Sequence, residues 1–334
     1  MESVPALSVI IPVFNRPNEV ADLLESLENQ TVKPDEVIVV EDGSILDCRT
    51  VVETFRGRLN IQYFYKKNSG PGLSRNYGCE RSKGDFAVFL DSDCVLPPDY
   101  IENVQRVLGE GDVDAYGGPD KAHPGFTKLQ KAIDFSMTSF FTTGGIRSGN
   151  ERLGKFHPRS FNMGLSKEVY RATGGFSDMR FGEDIDLSIR ILNKGFSTRF
   201  LKEAYVYHKR RTTLRQFFKQ VFNSGIARIN LNRRHPGTLR PVHAAPALLI
   251  LIALLLVLLS VFISFWFLVP LLLHVMLLLG AALIRTKSLS VAILSVVASY
   301  TQLSGYGSGF LLAWWRRRIL GKEEFSSFSK NFYK

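Results

Sequence analysis

Cysteine is scarce in this sequence. The three thiols, Cys48, Cys79 and Cys94, are odd in number and show no metal-ligand spacing, so they fit structural roles in a reducing compartment. Acidic residues nearly vanish from the second part of the chain: residues 201–334 hold 3 Asp/Glu against 18 Lys/Arg, whereas residues 1–200 hold 28 against 24. Between Pro241 and Ile284 charge is missing altogether. No basic region precedes the opening MESVPALSVIIPVF, which argues against a secretory signal and leaves the soluble part in the cytoplasm. Neither an RNP-type aromatic strand nor a basic reading helix is visible, so the basic charge points to the cytoplasmic face of a membrane, not to nucleic acid. A P-loop and a nucleophile–His–Asp pattern are also lacking. What remains is a chain of 334 residues, 45% hydrophobic and 22% charged, with mean hydropathy +0.02. That excludes intrinsic disorder and leaves room for one large domain or two ordinary ones.

An uncharged helix of about 40 residues would be about 60 Å long, twice the hydrocarbon thickness, so the 241–284 region predicts a two-span hairpin over about 244–284. The break is expected near Ser264–Trp266, with Pro270 in the first turns of the second span. A third hydrophobic segment, about 288–315, has a polar, glycine-rich middle (YTQLSGYGSG). It reads either as a third span or as re-entrant or interface-lying short helices that keep both basic ends in the cytoplasm. Residues 211–240 predict a basic amphipathic helix in the headgroup plane, with Leu214, Phe217, Phe218, Val221, Phe222 and Ile226 at helical spacing; the alternative is a helix packed on protein. The expected domains are 1–210 soluble, 211–240 interfacial, 241–320 transmembrane and 321–334 a cytoplasmic or peripheral tail. The whole reads as an integral protein of the plasma (inner) membrane, with the lipid bilayer as a partner.

Residues 7–14 (LSVIIPVF) and 37–40 (VIVV) read as parallel strands buried on both faces, with a helical period between them. IQYFYK (61–66) and FAVFLD (86–91) read as further strands, so the class is α/β with a mainly parallel, Rossmann-like sheet. In such sheets ligands bind beyond the carboxyl ends of the strands. The residues found there are Asn15–Arg16, Glu41–Ser44, the 68–78 loop and Asp91-Ser92-Asp93. Two carboxylates so spaced at a strand end suit Mg²⁺ or Mn²⁺ and a diphosphate. The same triplet spacing at Asp112/Asp114 and Asp184/Asp186 is what composition alone produces; the position after FAVFL singles out the first copy.

VIIPVFNR, VVEDGS, GPGLSRNYG, FLDSDCVLP and GEDIDLSIR follow one another over about residues 7–210. Together they resemble the family 2 glycosyltransferases, nucleotide-sugar-dependent enzymes of the GT-A fold. One departure is Glu41, where members often carry a first aspartate. The resemblance implies that Pro12, Val13 and Asn15 line the nucleotide site, with Glu41 and Asp42 near the base. It brings Arg75 to the diphosphate or its base-proximal wall. Asp91 would touch ribose and metal, Asp93 would ligate the metal, and His208 matches a position that completes the metal site. Asp184 would be the catalytic base, with Glu183 beside it. Asn162, after a possible strand, is a candidate sugar contact.

The implied reaction is an inverting hexosyl transfer from a UDP-, GDP- or dTDP-linked donor, supported by a divalent cation. A polyprenyl phosphate acceptor, as in dolichyl-phosphate mannose synthase-like relatives, is already ionised, whereas a sugar hydroxyl needs a base. The intact GEDIDL segment therefore favours a hydroxyl on a lipid-linked or growing glycan. The QxxRW motif of processive synthases is missing, since Gln216 is followed by Lys219-Gln220. Addition of one or a few sugars is expected. A non-catalytic, membrane-anchored glycan-binding protein is disfavoured because Asp93 and Asp184 are both present.

Overall fold

The computed structural model describes residues 4–111, 113–144 and 156–327. Asp112 and the tail beyond 327 lie outside the described residues. The chain divides into two compact units: Met1–His123 with Gly154–Lys209, and Pro124–Leu153 with Arg210–Lys334.

The first unit carries β1 (Leu7–Val13), α1 (Pro17–Glu28), β2 (Glu36–Asp42), α2 (Arg49–Phe55), β3 (Ile61–Lys66), α3 (Pro71–Cys79), β4 (Phe86–Leu90), β5 (Cys94–Val95), α4 (Tyr100–Gly109), β6 (Ala115–Gly117) and β7 (Asp120–Lys121). The second contributes α5 (Lys128–Thr138) and α6 (Phe140–Thr143) before the first resumes with β8 (Asn162–Ser166), α7 (Lys167–Thr173), α8 (Glu183–Asn193), β9 (Thr198–Phe200) and β10 (Val206–His208).

The main sheet has the order β3-β2-β1-β4-β8-β6-β9, and β8 alone runs against its neighbours. Alternation along the strands feeds two cores. Leu7, Val9 and Ile11 pack with Leu23, Leu24 and Leu27 of α1 and Val104 of α4. Ile10, Ile38 and Val40 pack with Cys79 of α3, Val169 of α7 and Leu187 and Ile191 of α8. Continuous β-branched runs are what a sheet covered on both faces requires. Gly78 lets α3 press onto the sheet, because a Cβ there would lie 2.6 Å from Ile10 Cγ2.

A second, three-stranded sheet, β5-β10-β7, pairs His208 with Cys94 in register. Its strands have two or three residues, too short for a periodic signal.

The second unit continues with α9 (Leu214–Arg234), α10 (Pro241–Phe262), α11 (Val269–Thr286) and α12 (Leu289–Arg318). α10, α11 with its preceding turn, and α12 are each long and apolar enough to cross a membrane. The break between the first two lies at Ile263–Ser264, and Pro270 occupies the first turn of α11, where its missing N–H costs nothing. Of the two arrangements expected over 288–315, the pair of short helices does not form: the segment is one uninterrupted helix. Two of its glycines are filled by α9: a Cβ at Gly305 would meet Val221 Cγ2 at 2.6 Å, and one at Gly309 would collide with Phe222. α9 itself is enclosed, with Phe217, Val221 and Ile226 buried in protein contacts and Arg215 and Arg233 its exposed residues. The tight glycine contacts draw its apolar stripe onto α12.

Candidate active site

The loops after β1 and β2 hold each other. Asn15 adopts a left-handed backbone (φ +54°), its N–H donates to Ser44 Oγ at 2.7 Å, and its Oδ1 accepts from the backbone N–H of Ile45 and Leu46 at 2.8 and 3.1 Å. Glu41 stands near the end of β2. It is fully buried, and its carboxylate accepts from Ser44 Oγ and from the Cys48 N–H at 2.9 Å. Its longer side chain reaches back into the loop and organises residues 43–48. Pro12 and Val13 are likewise buried, at the end of β1 in register with Val40 and Glu41. They form the floor below this loop.

Asp42 shapes the entrance to α3. Its carboxylate accepts from the N–H of Ser69 and Gly70, both at 2.9 Å, and pairs with the Lys66 ammonium. That fixes where α3 begins, and hence where Arg75 points.

Arg75 is 3% exposed and lies between two acids: Nη2 is 2.5 Å from Asp91 Oδ1, and Nη1 is 3.0 Å from Glu183 Oε1. Its guanidinium stands over the Phe176 ring at 5.2 Å. Arg75 thereby joins the end of β4 to the start of α8. Removing it leaves two carboxylates without a partner. Arg75→Ala is therefore expected to destabilise the first unit by about 3 kcal/mol or more, read as a lowered denaturation midpoint.

Asp93 makes the other cluster. Its Oδ1 lies 3.1 Å from His208 Nε2, and its Oδ2 pairs with the Arg16 guanidinium. The His208 ring stacks on Phe161 with centroids 5.2 Å apart. Ligand atoms of Asp93, Cys94 and His208 lie within 4.8 Å of one another. Cys94 is fully buried, its Sγ faces Phe161 O, and burial with the charges of Asp93 and Asp91 pushes its thiol pKa up. A protonated thiol is no ligand for a hard cation, so Asp93 and His208 are the candidate pair. Asp91 turns to Arg75 instead of joining them. The Arg16 contact marks this carboxylate as a place where positive charge is stabilised.

α8 opens at Gly182, whose φ of +85° suits glycine, and places Glu183 and Asp184 in its first turn, where the helix dipole favours anions. Asp184 Oδ2 accepts from Arg159 Nε at 2.6 Å and Oδ1 from its neighbour's N–H. Burial would raise its pKa, but the Arg159 charge and these hydrogen bonds hold it below the usual carboxylate value. Glu183 goes the other way: burial and the Asp184 charge push it up to about 7, against the pull of Arg75. A carboxyl with a raised folded-state pKa stabilises the fold fully below its ordinary 4.5, and that stability is lost as pH rises through about 7. Glu183→Gln should flatten the fall in melting temperature between pH 4.5 and 7.

Asn162 and Asp186 each make contacts within the fold. Asn162 is fully buried, donating to Ala204 O at 2.8 Å and accepting from Tyr100 OH at 2.6 Å, which ties its strand to the loop before β10. Asp186 pairs with Arg190 at 2.8 Å, and Arg190 also donates to Thr173 O and Gly175 O. Arg16 ends the first motif without a role being assigned to it, and Arg159 is a site residue that no motif contains. Arg16 directly follows Asn15, so its position was a signal. Arg159 stands 25 positions before Asp184, outside any motif.

The family described as Glycosyl transferase family 2 matches residues 8–174. An uncharacterized glycosyltransferase of Haemophilus influenzae is 32% identical over 217 residues, covering 62% of this chain and 70% of the relative. GalNAc(5)-diNAcBac-PP-undecaprenol beta-1,3-glucosyltransferase of Campylobacter jejuni is 34% identical over 116 residues, 34% of this chain and 38% of that one. Other relatives, up to 47% identical, are spanned over 15–31% of their length. Among solved structures, a mannosyltransferase from Pyrobaculum calidifontis in complex with GDP-Man and Mn2+ has the same fold, with TM-score 0.58 at 17% identity over 96% of this chain and 89% of that one.

Proposed function

Because the chain belongs to glycosyl transferase family 2, we propose that it is an inverting, divalent-cation-dependent glycosyltransferase acting at a membrane. It moves a sugar from a nucleotide-sugar donor to a hydroxyl of a lipid-linked or growing glycan. The observation that carries this reading is the junction made by Arg75, which ties the acids ending β4 to the carboxylates opening α8.

The donor set at Asp93 and His208, one carboxylate and one imidazole within 3.1 Å, fits Mn²⁺ or Mg²⁺. Such an ion, when bound there, neutralises the diphosphate of the departing nucleotide. The protein's own groups do the rest. Asp184, kept ionised by Arg159, accepts the proton of the acceptor hydroxyl, which attacks the anomeric carbon opposite the leaving nucleotide. Glu183, held by Arg75, keeps the base at the mouth of α8. The 43–48 loop, set by Asn15 and Glu41, forms the nucleotide side, with Asp91 next to the ribose.

The Campylobacter jejuni relative is named for a polyprenyl-diphosphate-linked acceptor, and the apolar helices of this chain suit an acceptor of that kind at the plasma membrane, with the catalytic unit on the cytoplasmic side. The test is a screen of UDP-, GDP- and dTDP-sugars for turnover by the purified full chain, with Mn²⁺, Mg²⁺ or EDTA. Turnover that needs the added ion supports the reading; equal rates in excess EDTA would remove the cation from it.

A further inference from the structure

We infer that α12 does not cross the bilayer but lies along its surface beside α9, so that α10 and α11 alone span. This rests on the apolar hairpin and not on the transferase reading.

The argument begins with direction. Phe218 and Val221 of α9 meet Gly305, Phe222 meets Gly309, and Ile226 and Ile229 share a cluster with Phe310 and Ala313, so α9 and α12 run parallel. The C-terminal ends of the two helices therefore lie together. The chain after α12 stays there as well: Arg234 pairs with Glu324 at 2.7 Å, Asn230 Nδ2 donates to Phe325 O at 3.1 Å, and the Ser327 N–H donates to Asn223 Oδ1 at 2.9 Å.

α9 ends at Arg234 and α10 begins at Pro241. The seven steps from Arg234 to Pro241 reach at most about 25 Å when extended, less than the roughly 30 Å of hydrocarbon. They are folded back, with the Leu239 N–H on Asn232 Oδ1 at 3.2 Å. The end of α9 and the start of α10 thus share one side of the membrane. The hairpin leaves that side and returns to it, so α12 also starts there. A spanning α12 would end on the opposite side, yet its end is beside the end of α9. Both ends of α12 face the same side.

Side chains agree with this placement. Along α12, α9 carries Lys219, Asn223 and Arg228, and α12 adds Ser295, Ser299, Gln302 and Tyr306 on one face. Ser299 Oγ and Gln302 Oε1 are buried without a hydrogen-bond partner among the described residues. Such groups are costly at hydrocarbon depth. The opposite face exposes Leu289, Ile293, Val297, Trp314 and Trp315, which fall in a stripe about 100° wide at 3.6 residues per turn. The hairpin leaves from the middle of that stripe, where His274 Nδ1 is 3.0 Å from Tyr300 OH and a Cβ on Gly307 would collide with Ile250. An apolar face flanking the spans, with tryptophans at one end and Arg285–Lys287 and Arg316–Arg318 at its ends, fits the headgroup boundary of a bilayer.

The test uses the full-length chain in membrane vesicles of known orientation. Pro236→Cys, Lys322→Cys and Trp266→Cys are labelled with a membrane-impermeant maleimide; the three native thiols are buried. Positions 236 and 322 should be labelled from one side and 266 from the other. Labelling of 322 together with 266 overturns the proposal. Trypsin on the unaltered protein gives an independent reading: cleavage after Lys322 and after Arg233 should occur in vesicles of the same orientation, and cleavage in opposite orientations overturns it.

Discussion

Asp184→Asn should lower turnover by about 10²–10⁴-fold while leaving donor binding intact, the usual range for loss of a positioned proton acceptor. The amide keeps nearly the volume of the carboxylate, so the first turn of α8 survives. It cannot take a proton from a hydroxyl, and its pairing with Arg159 weakens. The cost falls on the transition state, hence on kcat more than on nucleotide affinity. A polyprenyl phosphate acceptor brings its own negative charge and would make the same substitution mild. Near-normal transfer with unchanged donor affinity would defeat the base assignment and favour the lipid-phosphate acceptor. Single-turnover rates with calorimetric nucleotide binding separate these outcomes.

Asp93→Asn is the second large effect. Turnover should drop by at least about 10²-fold, because a neutral amide is a poor replacement for a carboxylate on a hard cation and the diphosphate loses charge compensation. Titrating Mn²⁺ into the variant should recover little of the rate. His208→Ala should raise the ion concentration needed for half-maximal activity and leave more residual turnover, since the carboxylate stays. Full activity of Asp93→Asn in EDTA would remove the cation from the reaction. Because Asp93 also holds Arg16, the melting temperature of the variant must be measured alongside.

Much of this was present in local patterns. The runs 7–14 and 37–40 had to be strands buried on both faces, because a chain so apolar and β-branched has no polar face to offer water. The break at residue 263 followed from length, since two hydrocarbon thicknesses cannot be one crossing. The chemistry-bearing acids, Asp91, Asp93, Glu183 and Asp184, were recognisable because they sit in motifs at strand ends and at a helix start.

Pairing between distant parts of the chain is what tertiary structure decided. Arg75 reaches two acids 16 and 108 positions away, and Arg159 reaches Asp184 across 25. No periodicity marks such contacts, because they depend on how helices dock on the sheet. Glu41 and Asn162 have the residue types of ligand contacts, but no pattern marks their bonds to the Cys48 N–H and Ala204 O, which satisfy backbone groups that a dry loop cannot leave unpaired. The glycine-rich middle of α12 looked like a break and is a continuous helix, since its missing side chains are the space into which α9 packs. Composition by itself determined that these segments are apolar and basic. Which faces they bury, and which way α12 runs beside α9, follow from packing alone.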